Sequence, residues 1–313
     1  MTGTDVRGDV VLCVGEALVA LAPPKGGTLE DAKFLEVSSA GAEVNVAVHL
    51  ARLDVRARFA GVVGRDPLGR RLVSTLADEG VDTQYVEFDD ILPTGLYLKN
   101  PSDSGTAVHY YRNGSAATRL RALPQEAMKE VGHVHLTGIT PAISGACRHL
   151  VESLLAADGY TTSFDVNYRP GLWDVDQAAP VLRELAGRAT VAFVGLDEAR
   201  TLWDVTTTED ARALLPGTEL VVKNSEHAAY AFRGTERAAA PPLRLPVLEP
   251  VGAGDAFAAG YLSARLRGFD LPAALRLGHA VAASALASRG DQGDRPDPQL
   301  IAMAHSGHGW PPA

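Results

Sequence analysis

The sequence predicts an α/β protein: a mostly parallel central sheet covered by helices on both faces, three layers in all, with a small β-sheet lid. Three observations predict it. Short apolar runs such as Val10–Val14 and Phe59–Val63 alternate with segments of helical period, the rhythm of consecutive β-α-β units. Two excursions, at about residues 17–37 and 93–113, break that rhythm with turn residues and extended runs. The stretch from Glu249 to Gly260 sets Gly252 and Gly254 immediately before Asp255 and then enters a small-residue helix.

Length and composition agree with a single domain over residues 1–313, one large core with the lid segments inserted in it. Hydrophobic residues make up 46% and charged residues 21%, which excludes a disordered chain or a coiled coil. A net charge of -9 argues against nucleic acid as a partner, because Lys and Arg must neutralise phosphates there. Any anionic ligand must be met by local Arg or Lys. Cys13 and Cys147 stand in apolar or small-residue surroundings with no CxxC pairing, as expected of reduced core thiols in a cytoplasmic protein. The polar first nine residues do not read as a signal peptide. No apolar run reaches the roughly 18 residues of a membrane span.

Val10–Val14, ended by Gly15, is expected to be the first core strand, buried on both faces. Residues 22–33 are too broken by Pro23-Pro24 and Gly26-Gly27 for a helix. From Ser38 to Leu53 a buried helix is expected, entered through Gly41, with Val44, Val48 and Ala51 on one face. Asn45 in that helix reads either as a polar residue satisfied by neighbouring backbone or as an amide facing a ligand. Phe59–Val63 is a strand, followed by a helix to Ala77. Thr94–Leu98 and Val108–Arg112, joined by the turn Pro101–Gly105, read as a hairpin of the lid sheet. Its Tyr97, Tyr110, Tyr111 and Arg112 are either ordinary strand packing or a polar set suited to a sugar acid.

His133–Gly138 returns to the main sheet, with a helix up to Ala157. His133 and His135 share a strand face, and without a third ligand nearby they read as structural. Thr162–Arg169 is expected as a strand with Asp165, Asn167 and Arg169 on one face, at the carboxyl edge where open α/β sheets bind ligands. Strands at Thr190–Val194 and Leu220–Asn224 follow, with helical segments around Asp197–Trp203 and Glu209–Leu215. The Ala-Ala-Ala-Pro-Pro run at 238–242 reads as a loop. A final helix is expected over Ala273–Ser288.

Gly252 and Gly254 leave the backbone bare, so the amides of Gly252, Ala253, Gly254 and Asp255 can converge on an anion at the helix start, with the Asp255 carboxylate beside it. The helix continues through Phe257, Tyr261, Leu262 and Leu266 to a C-cap at Gly268. A bare Gly-x-Gly-Asp is equally the pattern of a glycine turn with an Asp N-cap. The longer string Val251-Gly-Ala-Gly-Asp-Ala-Phe-Ala-Ala-Gly260 is more specific: it resembles the signature of the ribokinase-like (PfkB) sugar kinases. Gly41-Ala-Glu-Val-Asn45 is similar to a second signature of that family. Thr94–Tyr97, Tyr110–Arg112, Leu136–Ala142, Phe164–Arg169 with Trp173, and Ala287–Asp291 look most like its 2-keto-3-deoxygluconate kinase branch.

The resemblance implies the ribokinase-like fold and ATP-dependent phosphorylation, with Mg²⁺, of the 6-hydroxyl of a keto-deoxy sugar acid. It implies Asp255 as the base and the amides from Gly252 to Asp255 as the anion hole. Gly41, Asn45, Tyr97, Tyr110, Arg112, Asn167, Arg169 and Asp291 would hold the substrate. Arg112 and Arg169 also fit on chemical grounds, since a planar guanidinium suits a carboxylate. Lys223, Ser225 and His279 would lie with Gly252 and Gly254 on the nucleotide side, and Glu198 would meet the metal through water. A homodimer formed through the lid is expected. Free Asp has a pKa near 3.9, so Asp255 is expected to be ionised at neutral pH.

Four positions depart from the family pattern, all on the nucleotide or metal side. Glu249 stands in place of an Asp and Gly195 in place of a strand-end Asn. Lys223-Asn-Ser-Glu-His-Ala228 lacks both glycines of Lys-x-Gly-x-x-Gly, and His279 replaces an Asn. A protein that binds sugar acids without catalysis would keep the substrate contacts and lose these, but would have no use for an intact anion hole beside Asp255. A kinase of a neutral sugar such as fructose or ribose leaves the two arginines unexplained.

Overall fold

The computed structural model describes residues 8–24, 27–102, 105–248, 250–288 and 290–312. Strands β1 (Val10–Val14), β2 (Leu18–Ala22) and β3 (Glu36–Ala40) precede helix α1 (Ala42–Arg52). Then come β4 (Ala57–Gly64), α2 (Pro67–Asp78), β5 (Asp82–Asp89), β6 (Leu96–Ser102) and β7 (Gly105–Tyr111). The alternation continues with β8 (Val131–Thr137), the short α3 (Thr140–Ile143), α4 (Gly145–Ala156), β9 (Thr161–Asp165), α5 (Val175–Arg188) and β10 (Val191–Gly195). After these lie α6 (Leu196–Trp203), α7 (Thr208–Leu214), β11 (Glu219–Lys223), the hairpin of β12 (Ala229–Arg233) and β13 (Glu236–Ala240), α8 (Ala253–Leu266), α9 (Leu271–Leu286) and α10 (Pro298–Ser306).

Nine strands form the central sheet in the order β13-β12-β11-β10-β9-β8-β1-β4-β5. The seven strands from β11 to β5 pair in parallel, and only the pairs that β12 makes with β11 and β13, at one edge, are antiparallel. Because parallel strands are covered on both sides, their side chains divide between two cores. In β1, Val11 and Cys13 join the core shared with α1, α8 and α9. Val10, Leu12 and Val14 join the core shared with α4 and α5. Both cysteines are free and buried. Strand order reverses beside β1, so the carboxyl ends of β1 and β8 open onto a crevice of the kind that binds ligands.

Over that crevice stands a second sheet, in the order β3-β2-β6-β7. It joins both excursions through the parallel pair of β2 with β6, while β2–β3 and β6–β7 are antiparallel. This lid extends further than the sequence pattern indicates. Ser38–Ala40, expected to lead the first helix, instead form the end of β3. The helix begins only after Gly41, whose φ of 122° admits no other residue comfortably and whose Cβ would lie 2.2 Å from the Glu16 carbonyl oxygen. The hairpin is longer than expected, and the middle of its turn, residues 103–104, lies outside the described residues.

Other expectations are corrected. The strand expected over Thr162–Arg169 stops at Asp165, because Asn167 takes a φ of 40° and ends the alternation that would have kept Asp165, Asn167 and Arg169 on one face. Ala238–Ala240 is not a loop but the end of edge strand β13, paired with Ala229–Ala231. The helix expected up to Ala157 is two helices, broken at Ser144, which is extended and caps α4 through the Cys147 N–H at 3.1 Å. Helices α8 and α9 pack closely because small residues meet: a Cβ on Gly260 would lie 2.5 Å from the Leu277 carbonyl oxygen. His133 and His135 are held structurally, each bonding Ser163 Oγ at 2.8 Å, and burial lowers them to about 4 and about 3, which keeps both rings neutral. Among the described residues no helix is long and apolar enough to cross a membrane.

Candidate active site

The first turn of α8 forms the mouth of the crevice. Gly252 caps the helix with φ 86°, a left-handed conformation, and a Cβ there would stand 1.9 Å from the Asp291 carbonyl oxygen. Glycine is therefore required on two counts. The first-turn N–H groups of a helix lack intrahelical acceptors and carry its positive end. Ala253 N–H is engaged by the Pro250 carbonyl at 3.3 Å, which leaves the N–H groups of Gly254 and Asp255 as the inner donors of this turn. Glu249 lies outside the described residues.

Asp255 is buried on α8 and held from two sides. Asn45 of α1 donates its amide to Oδ2 at 2.8 Å, and Asn167 donates to Oδ1 at 3.2 Å. The positive φ of Asn167 is what turns its side chain back to this carboxylate. Burial pushes the Asp255 carboxyl up to about 7. The Asn45 hydrogen bond opposes the rise, Asp165 adds to it, and Lys223 and Arg169 oppose it. The fully ionised group expected from the free residue is therefore a group in mid-titration at neutral pH.

Beneath the mouth the carboxyl ends of β9 and β11 bring Asp165 and Lys223 into an ion pair of 2.6 Å. The Lys223 ammonium lies 3.3 Å from the position a Cβ on Gly254 would take, directly under the helix start. Burial alone would lower it, but Asp165 and Glu198 outweigh burial and hold it above its ordinary value. Glu198 reaches back from α6 to the Gly195 N–H at 2.8 Å and accepts the Tyr168 N–H at 3.0 Å. Both its oxygens thus carry backbone donors. Asp165 Oδ1 is buried without a hydrogen-bond partner.

The crevice itself is lined by Gly41, Asn45, Tyr97, Tyr110, Arg112, Arg169, Gly252, Asp255 and Asp291, together with Glu16 and Glu43. The lid supplies its roof. Tyr97 and Lys99, two apart on β6, both reach Asp291: Tyr97 donates its hydroxyl to Oδ2, and Lys99 Nζ lies 2.7 Å from Oδ1. Arg112, at the end of β7, pairs with Glu16, and its guanidinium stands 5.3 Å from the Tyr110 ring centre. Glu43 is fully buried and accepts the hydroxyls of Thr137 and Thr140 at 2.7 Å each. Arg169 is the more accessible cation. Its side chain is 43% exposed, donates to the Tyr168 carbonyl at 3.0 Å, and lies 3.8 Å from Glu198.

The remaining nucleotide-side residues lie apart from the crevice lining. Ser225 is exposed, in a turn with φ 46°. His279 is buried on α9, bonded to the Ala240 carbonyl at 2.9 Å and edge-on to Phe257, and burial lowers it to about 4. Glu16, Glu43 and Lys99 are the site residues that sequence reasoning missed. The signal for Glu16 was its place just after Gly15, at the carboxyl end of the first strand. Lys99 was marked only by sharing a strand face with Tyr97.

Fold and site together define a carbohydrate kinase, an enzyme that moves a phosphoryl group onto a sugar hydroxyl. A family model described as "pfkB family carbohydrate kinase" matches residues 9–298, and the chain belongs to that family. It is 35% identical over 302 residues to a 2-dehydro-3-deoxygluconokinase of Bacillus subtilis, covering 92% of this chain and 93% of the relative. A 2-dehydro-3-deoxygalactonokinase of Haloferax volcanii is 32% identical over 293 residues, covering 88% and 91%. Among solved structures, a PfkB protein from Polaromonas sp. superposes with a TM-score of 0.81 at 33% identity, over 91% of this chain and 97% of the other. A 2-dehydro-3-deoxygluconokinase from Thermotoga maritima gives 0.86 at 21% identity, over 96% and 98%, a likeness of fold.

Proposed function

We propose that this kinase transfers the terminal phosphoryl group of ATP to the 6-hydroxyl of 2-keto-3-deoxygluconate, which is 2-dehydro-3-deoxygluconate, or of a related keto-deoxy sugar acid. The observation that carries the reading is the placement of Asp255. Its carboxylate is fixed by two amides at a helix mouth and faces a crevice that also holds two arginines. Curated relatives at 35% and 32% identity act, by name, on such acids.

Asn45 and Asn167 hold the Asp255 carboxylate toward the acceptor hydroxyl, and Asp255 takes the hydroxyl proton as the phosphoryl group arrives. A group that titrates near the working pH is well matched to that task. The Gly254 and Asp255 amides and the helix dipole stabilise charge on the transferring group, and the Lys223 ammonium below adds a fixed positive charge. Phosphoryl transfer through a loose transition state asks chiefly for such positioning and electrostatics. Arg112 and Arg169 receive the acid's carboxylate, with Gly41, Tyr97, Tyr110 and Asp291 around the sugar. The lid excludes water that would otherwise accept the phosphoryl group.

Among the described residues no group of three His, Cys, Asp or Glu could cage a metal. Asp165 Oδ1 is a bare buried carboxylate oxygen beneath the mouth, and Glu198 is already bonded through both oxygens. That fits an ion carried in on the nucleotide's phosphates, with Asp165 and Glu198 reaching it through water. Asp165 and Glu198 would hold Mg²⁺ there, and it would supply positive charge that offsets the charge of the phosphates. Lys223, Ser225 and His279 remain the nucleotide-side candidates. Exposed apolar groups stand at both edges of the lid, Phe34 and Val37 by β3 and Tyr111 on β7, which supports a homodimer formed through the lid.

One observation favours a second reading. Glu16 already neutralises Arg112, which suits a kinase of a neutral sugar of the fructose type. An ADP-release assay over a panel of sugar acids and neutral sugars, with ATP and with GTP, separates the two. The proposal expects kcat/KM to be highest for a keto-deoxy sugar acid with ATP, and a preference for neutral sugars would overturn it.

A further inference from the structure

The ion pair between Glu16 and Arg112 sits where an acceptor's charge is to be received, and both side chains are almost sealed from water, at 2% and 6% exposure. Arg112 therefore meets a substrate carboxylate only by sharing or surrendering Glu16. Around Glu16 the charged and titratable groups are few. Arg112 faces it from the end of β7, Glu43 from α1 and Cys147 from α4, while Ser115 donates its hydroxyl to Oε1 at 3.3 Å. Arg112 is the one cation in this set. If its charge passes to a substrate carboxylate, Glu16 is left buried beside Glu43 with no counter-charge, an arrangement that disfavours ionisation strongly.

We propose that Glu16 is the internal counter-ion that a sugar acid's carboxylate displaces from Arg112, and that Glu16 takes a proton from solvent as it is displaced. The exchange is balanced: one carboxylate replaces another on the guanidinium, and the proton neutralises the one set aside. A neutral sugar leaves the pair intact and takes up no proton at this position, so the swap makes Glu16 a specificity-determining residue. The inference rests on the sugar-acid reading above. Burial already pushes Glu16 up to about 7 against the pull of Arg112, with Glu43 adding to the rise. At pH 8 the free enzyme therefore holds Glu16 mostly ionised and able to accept a proton.

Calorimetric titration of 2-keto-3-deoxygluconate in two buffers of different ionisation enthalpy counts the protons. Using Asp255→Asn removes a second group raised to about 7. At pH 8 we expect uptake of about 0.9 proton per sugar acid bound, close to none for fructose, and an acid affinity that falls roughly tenfold per pH unit above 8. Adding Glu16→Gln should abolish both the uptake and the pH dependence. Acid binding with no proton exchanged overturns this inference alone and leaves the kinase assignment standing. Failure to bind any sugar acid removes the acceptor assignment and this inference with it. The proton count needs no variant at position 16, so a misfolded Glu16→Gln protein does not weaken the test.

Discussion

Replacing Asp255 by Asn separates the proposed base from the framework that holds it. Both oxygens of the carboxylate accept an amide hydrogen, from Asn45 at 2.8 Å and from Asn167 at 3.2 Å. A side-chain amide offers one acceptor, so its NH₂ would face a donor. The neighbours can accommodate it, because the Oδ1 atoms of Asn45 and Asn167 are buried without partners, and turning one of those amides presents an acceptor. We therefore expect Asp255→Asn to fold and to lose turnover by about 10²- to 10⁴-fold, the range for removing a general base. The wild-type rate should fall about tenfold per pH unit well below its inflection near 7, and that inflection should vanish in the variant. Stability should move the other way. The folded-state pKa is raised from 3.8 to about 7, so the stability this group contributes is fully present below 3.8 and lost as pH rises through 7. A rise of that size corresponds to a penalty on the order of 4 kcal/mol on the ionised, buried form at pH 8. Asp255→Asn should therefore raise Tm at pH 8 and leave it nearly unchanged at pH 4. Near-normal turnover, or an inflection near 7 that survives the substitution, would refute Asp255 as the base. Equal Tm shifts at both pH values would refute its burial as the cause of the raised pKa.

Arg169→Ala should raise KM for a sugar acid by the equivalent of about 1.5–3 kcal/mol, the worth of a hydrogen bond to a charged group, and leave neutral sugars unchanged. Equal losses in steady-state kinetics for both would remove the carboxylate contact. Lys99→Met strands Asp291 in a pair whose side chains are 2% and 4% exposed, so denaturant unfolding should show a loss of about 3–5 kcal/mol. Arg200→Ala, which breaks an exposed pair, should cost less than about 1 kcal/mol in the same measurement. Gly252→Ala forces a Cβ to 1.9 Å from the Asp291 oxygen at a positive φ and should cut kcat by about 10²-fold through displacement of the mouth. The control Gly217→Ala, with nothing within 4 Å of the new Cβ, should be silent. His49 is buried with no partner on either ring nitrogen and is lowered from 6.5 to about 3, so its unfolded form binds the extra proton and stability falls as pH drops below 6.5. Tm of His49→Leu should fall less steeply between pH 6.5 and 4 than wild type, and parallel curves would count against that cause.

Elements that bury both faces were legible, because their apolar runs are a direct consequence of burial: β1, β4, β8 and β10 each appear in the sequence nearly as they stand in the sheet. The elements that escaped notice carry weaker local signals. Strand β5 mixes Asp82, Gln84 and Glu87 into a half-exposed edge, α5 contains Pro180, and β13 is written largely in alanine. The end of β9 was misread because the turn at Asn167 is decided by Asp255, a residue 88 positions away. The mouth, the arginines and Asp291 were legible through motif strings. Their ionic partners were not, since Glu16 and Arg112 lie 96 positions apart and nothing local to either announces the other.

Those unannounced partners change the chemistry of the crevice. Glu16, Glu43, Asp165, Glu198, Asp255 and Asp291 set six carboxyl groups against the four cations Arg112, Arg169, Lys99 and Lys223. A cleft proposed to admit a phosphate and a sugar carboxylate thus begins with more acids than bases. Such an excess is tolerable in a buried site only if protons cover the difference. Burial raises four of these acids, Glu16, Glu43, Glu198 and Asp255, and two of them, Glu16 and Asp255, are raised to about 7. In the proposed mechanism Asp255 gives up its proton to act as a base, while Glu16 gains one to release Arg112. On that mechanism acceptor binding and catalysis draw on protons in opposite directions, so efficient turnover is expected only in a narrow pH range around neutrality.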